Sequence, residues 1–190
     1  MNAPIARLAL EPQTLASTIG VAHDVLAAAQ ARLGFVPHMY THMANAPGLL
    51  HTYTTGYEHF RQASGFTPAE QEVVFLTISR FHRCTYCMAA HSMIADKVSK
   101  VPAPVLQALR DGTAIPDAKL AALSAFTHAM VESRGAPTPE QVQAFRAAGY
   151  GDQQVLEIIL AIAVKTLSNF SNHVLHTPVD PAFQPYAWQA

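Results

Sequence analysis

The chain has 190 residues, of which 50% are hydrophobic and only 13% are charged, and its formal net charge is -1. This balance excludes the basic surface that nucleic-acid binding requires. The length suffices for one domain with a substantial core, and we predict a single domain over 1–190 with about ten N-terminal and about twelve C-terminal residues as arms. The low charge also suggests that other subunits cover part of the surface.

No targeting or membrane segment is expected. The first eight residues, MNAPIARL, lack the apolar core of a secretory signal. The most apolar stretch, 155–167, contains Glu157 and Lys165 and is shorter than the ~20 residues that span a bilayer. We therefore expect a cytoplasmic protein. In that reducing compartment a cysteine pair is more often catalytic or metal-binding than a structural disulfide.

Apolar residues recur at helical spacing along almost the whole chain, and alternating strand patterns are nearly absent. The predicted helices cover residues 12–33, 38–44, 47–63, 68–81, 84–99, 103–110, 117–133, 139–148 and 152–175. Behind them, residues 177–181 (TPVDP) cannot form a regular helix and are expected to lie on the surface as an arm. The pattern predicts an all-α fold, a single-domain helical bundle.

Two of these helices have strong start signals. Thr67-Pro68-Ala69-Glu70 is a capping box with proline at the first helical position, and Thr138-Pro139-Glu140-Gln141 repeats it. The end of the helix that begins at Pro68 is not marked, because residues 79–83 contain neither glycine nor proline. Local signals therefore leave open whether the chain turns near His82 or continues as one long helix.

The only two cysteines lie in Cys84-Thr-Tyr-Cys87-Met-Ala-Ala-His91. Positions i, i+3 and i+7 share one face of a helix, so the two thiols and the imidazole would form a single stripe. A helix N-terminus near Cys84, and the basic side chains of His82 and Arg83 ahead of it, would favour a thiolate. Such a stripe predicts a dithiol redox site.

The position of Glu72 depends on the turn near His82. In one uninterrupted helix, Glu72 and Cys87 would be about 22 Å apart. If the chain turns, the two helices fold back and Glu72 can approach His91. A carboxylate among apolar residues such as Val73 and Phe75 is unusual, which favours a functional role.

Glu72, Cys84-x-x-Cys87 and His91 together resemble the signature of the alkylhydroperoxidase D-like group, within the carboxymuconolactone decarboxylase superfamily. The flanking sequences LGFVPHMY, NAPGLL and HTPVDPAF are similar to the peroxidase-related branch of that superfamily. The resemblance covers about residues 33–183. It implies an all-helical subunit of the alkylhydroperoxidase D-like type that assembles into homo-trimers or hexamers.

The resemblance also implies residue roles. Glu72 would polarise His91, directly or through water, and His91 would activate Cys87. Cys87 would attack a peroxide and become a sulfenic acid, while Cys84 would protonate the leaving alkoxide and then form a disulfide with Cys87. A lipoylated or thioredoxin-like dithiol protein would reduce that disulfide. No cofactor, metal, nucleic acid or membrane is expected to take part.

The chemistry is consistent with these roles, since peroxide cleavage needs a thiolate, a proton for the departing oxygen and a second thiol. One residue departs from the pattern of the group. Members best known as hydroperoxidases tend to carry a histidine between the cysteines, whereas this chain has Tyr86. A phenol with a pKa of about 10 is a poor base at neutral pH, although it can donate a hydrogen bond. His82 is a candidate to replace that histidine.

Three alternatives remain at the level of sequence. Zinc could be held by Cys84, Cys87 and His91 with a fourth ligand from Glu72, His82 or His173. The chain could be a decarboxylase-type lyase, or a thiol sensor without catalysis.

His173 and His176 lie near Asn169 and Asn172, late in the last predicted long helix. They could line a pocket mouth or a subunit contact, but ordinary polar surface is the favoured expectation.

Overall fold

The computed structural model describes residues 5–189, and within this range the chain is helical without a β-strand. Nine α-helices follow one another in the described residues: α1 (Gly20–Leu33), α2 (His38–Met43), α3 (Pro47–Ala63), α4 (Pro68–Phe81), α5 (Thr85–Lys97), α6 (Ala103–Asp111), α7 (Ala118–Glu132), α8 (Pro139–Ala147) and α9 (Asp152–Leu175). A 3₁₀ helix over Pro181–Tyr186 follows α9. The all-α prediction is confirmed.

The predicted start of the first helix near residue 12 is wrong, because α1 begins at Gly20. Thr14 and Ser17 form a local turn in which their hydroxyls bond neighbouring backbone groups instead of continuing a helix. Gly20 has a φ of 58°, a left-handed conformation that glycine adopts without strain. Ile19, which contributed to the apolar spacing, is 89% exposed and does not face the core.

Helix α4 lies at the centre of the larger hydrophobic cluster and packs against α5, α6, α7 and α9. Every residue from 70 to 79 is buried. The helix begins at the predicted capping box, in which Glu70 N donates to Thr67 Oγ1 at 3.3 Å and Thr67 N donates to Glu70 Oε2 at 2.8 Å. The central position of α4 carries Glu72 into the interior of the protein.

A second hydrophobic cluster contains residues of α1, α2 and α5 and of the first half of α3. Both cysteines belong to it. Tyr57 and Leu160 pack against both clusters. The dithiol stripe therefore lies where the two clusters meet.

The chain does turn between α4 and α5. Arg83 adopts a left-handed φ of 58°, Arg83 N donates to Arg80 O at 2.9 Å, and Cys84 N donates to Ser79 O at 2.9 Å. This pair of bonds is a Schellman motif, which usually has glycine at the left-handed position. Because arginine occupies that position, the sequence carries no glycine signal for the turn. Cys84 then becomes the N-cap of α5.

Helix α9 runs through the interior and contacts α3 and α4. Gly56 in α3 permits a close approach, since a Cβ on Gly56 would lie 2.9 Å from Val164 Cγ2. Contrary to the expectation from residues 155–167, α9 is the one helix within residues 5–189 that is long and apolar enough to cross a membrane by length and composition. Half of its most apolar window is buried inside the fold, as in a core helix, which passes the same test of length and composition.

The segment after α9 differs from the expected surface arm. Residues 177–180 form no regular helix, as predicted, but Asp180 and Phe183 are buried. The Phe183 ring packs edge-on against Phe35 and against Tyr86, with both pairs of centroids 6.1 Å apart. The C-terminal segment is therefore part of the wall of the second cluster.

The capping box of α4 generates a stability prediction. Thr67→Ala removes the side-chain acceptor for Glu70 N and should lower the free energy of unfolding by about 1 kcal/mol. Thr67→Ser keeps the hydroxyl and should lower the free energy of unfolding by only a few tenths of that amount. Urea denaturation of both variants tests the assignment, and equal losses would show that the cap does not contribute.

Candidate active site

Cys84 and Cys87 are free thiols at the N-terminus of α5, and both are buried, with exposed fractions of 1% and 2%. Cys84 is the N-cap residue, and Cys87 lies in the first turn. The unpaired N–H groups and dipole at a helix N-terminus favour negative charge on a sulfur placed there.

His91 follows on the same face of α5 and meets Glu72 of α4. His91 Nδ1 lies 2.8 Å from Glu72 Oε2. The other oxygen of Glu72 forms an ion pair with Arg61 of α3, whose guanidinium lies over the rings of Tyr57 and Phe75 at 4.9 and 4.8 Å. The turn at Arg83 is what permits the contact between α4 and α5.

The surrounding charges determine the protonation states of Glu72 and His91. Burial by itself would raise the pKa of Glu72, but His91 and Arg61 outweigh burial and lower it, so the carboxylate stays ionised. Burial and the nearby charge of Lys165 lower the pKa of His91. A neutral imidazole beside a carboxylate donates from Nδ1–H, which leaves Nε2 as an acceptor.

Helix α9 presents a stripe of buried polar residues to the sulfurs. Lys165, Ser168 and Asn172 are 0%, 0% and 5% exposed. Asn172 Nδ2 lies 3.4 Å from Cys87 Sγ and 3.8 Å from Cys84 Sγ, and Cys87 Sγ lies 3.9 Å from Ser168 Oγ. The stripe has the spacing i, i+3 and i+7, the same as that of the two cysteines and His91 on α5.

The two thiols have opposite pKa shifts. The hydrogen bond that Cys84 makes to Cys87, together with burial, raises the pKa of Cys84. Burial also opposes ionisation of Cys87, but the bond from Cys84 and the charge of Lys165 outweigh it and bring the pKa of Cys87 well below its ordinary value. The arrangement stabilises a thiolate on Cys87 and a thiol on Cys84.

Tyr86, the residue between the cysteines, is engaged with the C-terminal segment. Its hydroxyl donates to Asp180 Oδ2 at 2.5 Å, and Asp180 also accepts from His38 N at 3.0 Å at the start of α2. Burial and the charge of Asp180 raise the pKa of Tyr86 well above its usual range. Tyr86 is therefore a hydrogen-bond donor to the fold and not a base.

A cavity of about 220 Å³ reaches Cys87 and His91. Its walls are mainly apolar, and Arg32 at one side carries charge. The aromatic lining residues are Phe35, Tyr40, Tyr53, Tyr57, Tyr86 and Phe183. This cavity can accept a compact apolar or aromatic molecule.

A separate cleft of about 640 Å³ reaches Cys84 from another direction. Its lining includes Arg83 and three histidines, His82, His173 and His176. His82 lines this cleft and not the cavity at Cys87, and its Nδ1 lies 3.0 Å from Asn169 Oδ1. The two sulfurs thus open towards different surroundings.

The structure brings together all four predicted site residues, Glu72, Cys84, Cys87 and His91. The sequence analysis missed Lys165 and Asn172 as site residues. His173 and His176 line the cleft, which agrees with the pocket mouth considered for them and not with the favoured expectation of ordinary surface. The available signal was the i, i+3 and i+7 spacing of Lys165, Ser168 and Asn172 in an otherwise apolar helix. That spacing places them on one face of the helix but does not show which residues that face contacts.

The ligand set for the zinc alternative is not assembled. Within residues 5–189 there is no group of three or more His, Cys, Asp or Glu side chains placed to hold a metal ion. His91 Nδ1 is directed at Glu72, and His82 and His173 line the cleft.

The fold is that of alkylhydroperoxidase D-like proteins. A crystal structure from Ralstonia eutropha, described as an alkylhydroperoxidase AhpD core and an uncharacterized peroxidase-related protein, matches with a TM-score of 0.82 at 20% identity over 96% of each chain. An uncharacterized peroxidase-related protein from Silicibacter sp. matches with a TM-score of 0.74 at 18% identity, over 96% of this chain and 97% of that one.

The debrominase Bmp8 has a similar structure. A cysteine-to-alanine variant of it, in complex with 2,3,4-tribromopyrrole, matches with a TM-score of 0.76 at 17% identity, over 96% of this chain and 97% of that one. At this identity the similarity establishes the fold and leaves the reaction to be inferred from the site.

A family model matches a narrower part of the chain. The model of the carboxymuconolactone decarboxylase family matches residues 47–132, which contain Glu72, both cysteines and His91. This match and the similar folds agree with the resemblance that the motif of Glu72, Cys84, Cys87 and His91 indicated. Among curated protein sequences there is no significant match.

The contact of Tyr86 with Asp180 can be tested by a matched pair of variants. Tyr86→Phe removes a donor from a buried carboxylate and should lower the free energy of unfolding by about 1.5–3 kcal/mol. Tyr186→Phe removes a similar bond to Asp96, whose side chain is 44% exposed, and should change stability little, because water replaces the donor. Urea denaturation measures both, and equal effects would contradict a structural role for the buried bond.

Proposed function

We propose that the protein is a cytoplasmic dithiol peroxidase that reduces compact organic hydroperoxides. The observation that carries the proposal is the environment of Cys87. Its sulfur is stabilised as a thiolate, accepts the hydrogen bond of Cys84, and lies beside His91 at the wall of an apolar cavity. The peroxidase-related neighbours support the same class of reaction.

The proposed reaction uses the four residues as follows. The Cys87 thiolate attacks the terminal peroxide oxygen, so that an S–O bond forms and the O–O bond breaks. The departing alkoxide takes the proton of Cys84 and leaves as an alcohol. Cys84, now a thiolate, attacks the sulfenic acid of Cys87 and forms the disulfide, and the departing hydroxide takes a proton from solvent and leaves as water. In sum, one thiolate, one thiol, one hydroperoxide and one proton give one disulfide, one alcohol and one water.

His91 serves proton transfer in this scheme. Glu72 holds Nδ1, so that Nε2 is directed away from the carboxylate and can accept or return a proton between the sulfurs and the leaving oxygens. Because Glu72 acts through His91 and does not reach the sulfurs, it is a positioning residue.

The reductant is proposed to approach from the cleft. A dithiol partner, either lipoylated or thioredoxin-like, would attack the disulfide at Cys84, which this cleft reaches. The substrate cavity at Cys87 would remain free during reduction.

We also propose a homo-oligomer, a trimer or a hexamer. Three large apolar side chains of α9, Leu156, Ile159 and Phe170, are 66%, 47% and 52% exposed. Apolar exposure on one long helix is typical of a subunit contact. The mass of the native protein in solution measures this directly.

A second candidate function is reductive dehalogenation of an aromatic ring. It is favoured by the aromatic cavity beside the dithiol and by the structural similarity to a debrominase. Two thiols and one aryl bromide would give the disulfide, the arene, bromide and a proton. Bromide release from a bromopyrrole by the reduced protein, in the absence of hydroperoxide, would support this reading.

The first experiment mixes fully reduced protein with an organic hydroperoxide and counts thiols against time. Loss of both thiols per chain, with an intact monomer mass on a non-reducing gel, is expected because the disulfide is internal. Loss no faster than that of an ordinary free thiol would contradict the proposal. Metal analysis of protein purified without chelator, in parallel, would reveal a zinc-holding module.

Two cysteine variants separate the roles of the thiols. Cys87→Ser should abolish peroxide reduction. Cys84→Ser should consume one equivalent of peroxide and stop at the sulfenic acid, which a dimedone-type reagent traps. A Cys87→Ser protein with unchanged turnover would contradict the assignment, and a decarboxylase-type activity that survives in the double cysteine variant would favour a lyase.

Glu72→Gln tests the positioning residue. It should slow the peroxide reaction by about 10- to 100-fold, because His91 loses its fixed orientation. The pH profile of the reaction should change as well, while circular dichroism remains that of the folded protein. Glu70→Gln, two residues away at the capping box, is the matched control and should leave the rate unchanged.

A further inference from the structure

Lys165 is a buried cation for which the peroxidase scheme has no role. Its side chain is 0% exposed, and Nζ has no hydrogen-bond partner among the described residues. Nζ lies 5.6 Å from the centroid of the Phe75 ring. Burying an unpaired ammonium costs several kcal/mol, so a nearby anion is expected.

The buried carboxylate of the site does not supply that anion. Glu72 pairs with Arg61 through one oxygen and meets His91 with the other. Lys165 forms no salt bridge with a carboxylate in the described part of the chain. The α9 stripe that begins with Lys165 continues through Ser168 and Asn172 to the cysteine sulfurs.

We infer that Lys165 is the counter-ion of a Cys87 thiolate, and that this ion pair, more than His91, makes Cys87 reactive. The buried charges of the site then sum to zero, because Glu72 balances Arg61 and Cys87 balances Lys165. The use of this thiolate in peroxide reduction rests on the proposed function, but the ion pair itself does not.

Other titratable groups around Cys87 do not replace Lys165. They are His82 after α4, Cys84, Tyr86 and His91 on α5, Tyr53 on α3, and His173 on α9. Burial lowers the pKa of each of the three histidines, so they are poor cations at neutral pH. The charge of Lys165 lowers the pKa of Cys87 more than that of His91 does.

The ion pair has a consequence for the redox cycle. Reduction of the disulfide takes up two electrons and gives a thiol on Cys84 and a thiolate on Cys87, with uptake of one proton. Without the charge of Lys165 both sulfurs would be protonated, with uptake of two. Oxidation of dithiothreitol releases two protons, so the exchange with the protein disulfide releases one proton overall. The equilibrium constant for reduction of the protein by dithiothreitol should therefore increase about tenfold for each unit of rise in pH.

The test compares wild type with Lys165→Met and Lys165→Arg by the ultraviolet absorbance of thiolate against pH. Reduced wild type should hold about one thiolate per chain at neutral pH, well below the ordinary thiol pKa of about 8.5. Lys165→Met should move the midpoint upward by about one pH unit or more, and Lys165→Arg should stay near wild type. An unchanged midpoint in folded Lys165→Met, or no thiolate in wild type at neutral pH, would overturn the inference.

The dithiothreitol equilibrium provides a readout that does not depend on the methionine variant folding. In wild type and Lys165→Arg it should shift about tenfold per pH unit around neutrality, and a pH-independent equilibrium would contradict the ion pair. Neither readout uses peroxide. A thiolate that depends on Lys165 in a protein inert to hydroperoxides would keep the inference and reject the proposed function. Rapid peroxide reduction by a protein whose thiolate does not depend on Lys165 would reject the inference and keep the proposed function.

Discussion

Burial of the Glu72 carboxylate is the constraint on which the arrangement of the site depends. A carboxylate without contact with water is costly unless cations or donors surround it, and here Arg61 and His91 do so from two different helices. This contact fixes α3, α4 and α5 at one point. It also determines which ring nitrogen of His91 is occupied, and hence which nitrogen is available for chemistry.

The pairing of Glu72 with Arg61 has a second effect. Since Arg61 already neutralises the carboxylate, Glu72 does not hold His91 in its charged form, and burial keeps the imidazole neutral. A thiolate nearby then needs its positive charge from another source. Lys165 of α9 supplies it in our interpretation, which separates the stabilisation of the thiolate from the transfer of protons by His91.

The sequence predicted the helices and the four-residue motif because both depend on local spacing. The capping boxes at Thr67 and Thr138 place the starts of α4 and α8 at the predicted residue. The turn at Arg83 was left open, since a left-handed arginine gives no glycine signal. The predicted start of α1 was wrong because the apolar residue Ile19 faces solvent. Tertiary packing determines which apolar residues are buried, and the periodicity of the sequence does not show it.

Contacts between distant segments explain what the sequence could not reveal. Asn172 is 85 residues from Cys87, and Asp180 is 94 residues from Tyr86. Tyr86 lines both the cavity at Cys87 and the cleft at Cys84. Its bond to Asp180 holds the C-terminal segment against this position. Tyr86 therefore stands between the two approaches to the dithiol, and in the proposed reaction proton transfer would fall to His91 and the thiols.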